Sequence, residues 1–119
     1  MMKPFPQYDI AMTEIHHTQK LDAPSGTAIT LAEGIIAENG SKKSWTIEQP
    51  KSKDEIPIQA VRKDPYPGLH SVKYESEVDY IEITHNTFNR KGLALGAVLA
   101  AEYCVCKKGI YNMSDLLKL

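Results

Sequence analysis

The chain has 119 residues, 42% of them apolar and 8% aromatic, which is enough for one compact domain with a modest core and too little for two. Its formal charge of −1, with Lys and Arg scattered along the chain, leaves no basic patch for nucleic acid or an anionic membrane. No basic-then-apolar leader opens the chain, and the longest apolar run, residues 92–101, is about half of the ~20 residues a membrane span needs, so a soluble, reducing, cytoplasmic setting is expected.

In chain order, residues 8–14 follow two helix-deterring prolines and have the composition of a strand. Ser25 is placed to cap a helix running to about Asn39, with Ile29, Ala32, Ile35 and Ile36 on one apolar face and Gly40 as a stop. Residues 42–54 are polar and lysine-rich and read as a surface excursion, holding a short strand at residues 44–49 whose Trp45 has no evident partner. Residues 56–62, 70–76 and 78–85 predict three strands, with the turn-rich KDPYPG of residues 63–68 linking the first two. In the last of them Ile81 and Ile83 face opposite to Tyr80, Glu82 and Thr84.

Asn89 is placed to cap a second helix from Arg90 to about Lys108, apolar or small around most of its circumference, and therefore predicted to be buried on a sheet until Gly109 ends it. Cys104 and Cys106, two apart in that helix, diverge by ~200° and do not readily bridge, so they are predicted to be reduced, buried thiols. Ser114 would cap a last turn at residues 115–119, whose leucines need something to pack against. The order predicts an α+β fold, an open mixed β-sheet of about four strands with helices packed on one face. The other face, with a mixture such as Tyr74, Tyr80 and Thr84 that is too apolar for pure solvation, is expected to serve oligomerisation.

Chemistry concentrates at the junction of the first strand and first helix, TEIHHTQKLDAPSGTA, residues 13–28. Histidine is near its pKa at neutral pH, and a nearby lysine donates a proton or binds a carboxylate. His16 and His17 are adjacent on an extended segment, point opposite ways and so suit different roles. Each alone is as well read as a surface histidine, and Ser25, Gly26 and Thr27 as a plain helix cap. Together with Lys20 they describe a carboxylate pocket with a proton donor, because the first N–H groups of a helix attract anions and glycine lets one approach. Metal binding by His16, His17, His70 and His85 is the rival, weakened by the lack of i, i+4 spacing or an HExxH. Ser25 has no G-x-S-x-G frame to make it a nucleophile.

Residues 14–28, EIHHTQKLDAPSGTA, resemble the signature E-x-H-H-x-x-K-x-D-x-P-S-G-T-A of the 4-hydroxy-tetrahydrodipicolinate reductases (dihydrodipicolinate reductases) of diaminopimelate and lysine biosynthesis. Arg62, GLHSV at 68–72, ITHNTFNR at 83–90, LALGAVLAAEY at 93–103 and GIYNMSDLL at 109–117 resemble that family's C-terminal half in the same order, so nearly the whole chain is covered. The resemblance implies that His16 is the acid/base histidine, Lys20 the proton-donating lysine and His17 a substrate-binding residue. Ser25, Gly26 and Thr27 match the loop holding the substrate's carboxylates. His85 and Arg90 match family positions too, where a structural role near the sheet end fits equally.

The reaction so implied is reduction of a cyclic conjugated imine, in which hydride from NADPH or NADH adds to carbon and the resulting enamine is protonated. The family begins with a Rossmann domain and its glycine-rich phosphate loop, whereas the seven glycines here, at 26, 34, 40, 68, 92, 96 and 109, contain no G-x-G. The chain is therefore expected to be a C-terminal substrate-binding and tetramerisation domain without its Rossmann partner, inactive alone and binding no cofactor, with residues 110–119 returning to the missing domain. Its implied partners are a small dicarboxylate and its own copies, as a homotetramer or at least a dimer. The competing expectation is a non-catalytic dicarboxylate-binding or assembly module.

Overall fold

The computed structural model of the chain describes residues 2 and 5–119, in two compact units, Met1–Phe88 and Asn89–Leu119. The first unit holds β1 (Asp9–His16), α1 (Gly26–Glu38), β2 (Ser44–Thr46), β3 (Glu55–Arg62), β4 (Gly68–Glu75) and β5 (Tyr80–Thr87). They form one open mixed sheet in the order β2-β3-β1-β4-β5, parallel from β2 to β1 and antiparallel from β1 to β5. The strand count is five, the excursion's short strand being the fifth, and the α+β class is as the sequence predicts.

β1 alternates so that Ile10, Met12, Glu14 and His16 are all buried on one face, the period of a strand with one side on a core. On that face α1 lays its small residues Ala28 and Ala32 against Ile10, Met12, Ile56 and Ile58, with Ile35, Ile36, Trp45, Val72 and Tyr74 packed around them. Trp45 thus has its partner: β2 carries it to the core's edge beside Ile56. The excursion is less superficial than its composition suggests. Lys42 is buried, and its Nζ donates to Asp9 at 2.5 Å and to the Lys53 carbonyl at 2.6 Å.

Tyr74 corrects the face assignment. It pairs with Ile10 on one side and Ile81 on the other, and directly paired residues share a face, so it sits on the α1 side rather than with Tyr80 and Thr84. Parity within a strand is legible in sequence; parity between strands depends on register, which is not. On β4 and β5 the opposite face is polar: Ser71 donates to Glu82 at 2.5 Å, Thr84 to Ser71 at 3.1 Å, and Lys73 Nζ lies 4.7 Å from the Tyr80 ring centroid.

In the second unit, α2 (Lys91–Cys104) starts one residue later than predicted, with Arg90 at the cap position, while Asn89 still accepts a 2.9 Å hydrogen bond from the Lys91 N–H. It ends at Cys104 rather than near Lys108, because Cys106 adopts a left-handed φ of 62° that no α-helix continues through. Both cysteines are free and exposed, which overturns their predicted burial. No residue of α2 is buried. α3 (Met113–Leu117) is capped by Asn112 in a reciprocal box with Asp115, displacing Ser114 from the predicted cap position.

Candidate functional site

The site grows from the far end of β1. The alternation that buries Ile10 and Met12 also drives Glu14 (0% exposed) and His16 (8%) into the same face, and a buried carboxylate needs partners. Arg62, register partner of His16 at the end of β3, supplies a bidentate pair: Nη1 donates to Glu14 Oε2 at 2.9 Å and Nη2 to Oε1 at 2.8 Å. His16 Nδ1 lies 2.5 Å from Oε2, and the Ser25 backbone N–H donates to Oε1 at 3.1 Å. Burial pushes the Glu14 carboxyl up, but the hydrogen bonds from Arg62 and His16 outweigh it and hold the pKa below the ordinary value.

Ser25 caps α1: its Oγ accepts from the Ala28 N–H at 3.2 Å and shares a 2.8 Å hydrogen bond with His70 Nε2. His70, opposite Glu14 on β4, stacks edge-on against His16 with ring centroids 5.1 Å apart. Burial, then the charge of His16, lowers the His70 pKa. The cap leaves the N–H groups of Gly26 and Thr27 without an acceptor in the helix. Both residues are exposed, and a Cβ built on Gly26 would meet nothing within 4 Å, so the helix start is open to an anion.

Of the residues predicted from sequence, His16, Ser25, Gly26 and Thr27 are brought together through Glu14. Lys20 lies on the intervening loop with Nζ 2.9 Å from Asp22, whose carbonyl accepts from Arg62 Nη2 at 2.6 Å, and its charge contributes to lowering the His70 pKa. His17, the residue after the end of β1, is half-buried, and Asp64 pins the loop beside it by accepting from the Thr18 N–H and hydroxyl. His85 pairs with His70 in register on β5. The chemical reading of the residues did not single out Glu14 or Asp22, and it weighed His70 only as a rival metal ligand. Glu14 was findable, since a carboxylate in step with Ile10, Met12 and His16 on a core face is out of place unless it is held. Among the described residues no cluster of three His, Cys, Asp or Glu side chains could hold a metal ion, and no helix is long and apolar enough to cross a membrane.

Comparison with known proteins gives a consistent set of relatives. The family profile described as "Dihydrodipicolinate reductase, C-terminus" matches residues 1–117. The 4-hydroxy-tetrahydrodipicolinate reductase of Christiangramia forsetii is 52% identical over 98% of this chain and 48% of its own length. That of Methanococcus maripaludis is 42% identical over 94% of this chain and 44% of its own length. Among solved structures, a dipicolinate-bound dihydrodipicolinate reductase from Paenisporosarcina sp. TG-14 superposes with a TM-score of 0.64 at 29% identity, covering 82% of this chain and 39% of that one. The chain thus spans about half the length of the curated relatives it matches.

Proposed function

The chain belongs to the dihydrodipicolinate reductase C-terminal family, and on that premise we propose that it is the substrate-binding, catalytic and oligomerisation domain of a 4-hydroxy-tetrahydrodipicolinate reductase. The observation that carries this reading is the single buried carboxylate, Glu14, on which both His16 and the Ser25 N–H end. It ties a proton-carrying imidazole to an open helix start, the two features that protonation of a bound dicarboxylate requires.

Hydride in this reaction comes from NADPH or NADH. The residues present do not fit a dinucleotide, since no glycines are paired as G-x-G and the α1 start is assigned to the substrate, so no step is routed through the cofactor. What this chain contributes is binding and proton transfer. The Gly26 and Thr27 N–H groups, at the positive end of α1, take one carboxylate of the substrate, and His17 is a further substrate contact. Lys20, cationic and held by Asp22, draws electron density toward the side of the ring it faces and delivers the proton to the enamine carbon. His16 serves as acid and base beside it.

Two measurements test this. Pyridine-2,6-dicarboxylate should bind residues 1–119 weakly by calorimetry, while NADH and NADPH give no heat and no turnover with the same residues. Absence of dicarboxylate binding at millimolar ligand sinks the proposed site, and micromolar cofactor affinity sinks the division of labour. In the reductase completed by its nucleotide domain, Lys20→Ala should lower kcat by roughly 10²-fold or more; a change confined to KM makes Lys20 a binding residue only.

A further inference from the structure

The geometry points to Glu14 as the positioning residue that fixes the tautomer of His16, holding its proton on Nδ1 so that Nε2 is the nitrogen that exchanges protons at the site. This rests on the proposed role of His16 and deepens it by naming the reactive atom and what selects it.

Three observations carry the inference. The first is the acceptor. An ionised carboxylate accepts and does not donate, so the 2.5 Å contact from His16 Nδ1 to Glu14 Oε2 requires the proton on Nδ1. Glu14 is kept ionised by the two hydrogen bonds from Arg62 and the N–H of Ser25. A histidine's tautomer follows the hydrogen bond made by its other nitrogen, as in metal sites where an outer carboxylate fixes the ligating ring.

The second is the room left at Nε2. Gly68 stands beside it, and a Cβ there would lie 3.2 Å from Nε2 and 3.5 Å from Cδ2 of His16. The ring is clamped at Nδ1, so it could not move away from such an atom. Absence of a side chain at residue 68 therefore leaves the Nε2 edge clear. The third is the lack of a competing bond. Among the described residues no side chain hydrogen-bonds His16 Nε2, and no buried side-chain nitrogen or oxygen lacks a partner, so Nε2 meets solvent rather than a sealed wall. The charged and titratable groups around the ring are Glu14 on its own strand, Arg62 from β3 and His70 from β4, and only Glu14 bonds it.

A purely structural Glu14–Arg62 pair would hold the strand ends together and leave the tautomer of His16 to solvent. The two roles separate in the ¹⁵N spectrum. Long-range ¹H–¹⁵N correlation of the histidine rings in the wild-type chain, from about pH 6 to about pH 9.5 and so across the ordinary imidazole range near 6.5, should show His16 Nδ1 in its protonated position throughout and any proton loss confined to Nε2. A state in which Nε2 keeps the proton while Nδ1 loses it, or an even mixture of tautomers, overturns the inference. In Glu14→Gln the amide oxygen is claimed by Arg62 and the amide NH₂ faces Nδ1, so the proton should move to Nε2 in most molecules. A folded variant that keeps the Nδ1–H form overturns the inference equally, and if the variant does not fold the wild-type spectrum still decides. The spectra need no ligand, so failure of pyridine-2,6-dicarboxylate to bind would count against the proposed site and leave this result standing.

Discussion

At the residue scale the site is governed by what burial does to two ionisable groups. Glu14 has a lowered pKa in the fold, because the hydrogen bonds from Arg62 and His16 outweigh burial, so the unfolded chain binds its proton more readily; the contribution is present above the ordinary value of 4.5 and lost as pH falls through the lowered one. His70 has the same sign at higher pH: burial and the neighbouring His16 lower it from 6.5, so below 6.5 the unfolded chain takes up a proton that the folded imidazole refuses. The denaturant midpoint should therefore fall in two stages on acidification, and His70→Gln should remove the first and keep the second. A midpoint that rises as pH drops below 6.5 contradicts the assignment. Arg62→Met leaves the carboxylate of a fully buried Glu14 without its main counter-charge and should cost on the order of 3 kcal/mol in chemical denaturation. The sequence proposes His16, Lys20 and the Ser25-Gly26-Thr27 turn by residue type, and the structure brings His16 and that turn together through Glu14 while Lys20 pairs with Asp22 on the loop between them. Glu14 was not read out chemically and His70 only as a rival metal ligand, because their place in the structure comes from which atoms meet across β1, β4 and α1.

Elements repeat that division. α1 was legible to within a residue or two, since its apolar face, the serine before it and the glycine after it all agree. The parallel pairing of β1 with β3, which sets Arg62 against His16, came from no local signal. α2 overran in prediction because Gly109 looked like its stop, while the chain turns left-handed three residues earlier, at Cys106, a residue type with no preference for that conformation. The cap of α1 offers a quantitative test. Ser25→Ala removes the acceptor for the Ala28 N–H and leaves His70 Nε2 without its 2.8 Å partner. The cap alone is worth about 1 kcal/mol, and orphaning a half-buried imidazole nitrogen adds to it, so a loss of about 1–2 kcal/mol is expected by thermal melting. Ser25→Gly, tolerated at most caps for a few tenths, should here cost nearly as much as alanine. If glycine instead proves nearly neutral, His70 contributes nothing to holding the helix start.

For the whole molecule the question is what covers the apolar surface that this chain leaves open. Apart from Met2, the buried apolar core among the described residues is one cluster of Ile10, Met12, Ala28, Ala32, Ile56 and Ile58, whereas Ile15, Val61 and Leu69 on the sheet face opposite α1 are only half-buried. A chain of 119 residues with so small a core has little stability to spare. Anything that binds the folded form and not the unfolded one adds to it by mass action. We propose that copies of the chain do this through the sheet face opposite α1. That face offers half-buried Ile15, Val61 and Leu69 side by side across β3, β1 and β4 at one end of the strands, and the Ser71–Glu82–Thr84 hydrogen bonds toward the β5 edge. A two-fold contact places the same face on itself, so one substitution acts twice. Light scattering at low micromolar concentration should give a tetramer, or at least a dimer, of the 13.3 kDa chain, with a melting temperature that rises with protein concentration. Thr84→Lys, exposed in the monomer, should put like charges together in the assembly and lower the mass without changing the monomer's circular dichroism. A folded monomer of 13.3 kDa from the wild-type chain, with a melting temperature independent of concentration, would show that this face drives no assembly.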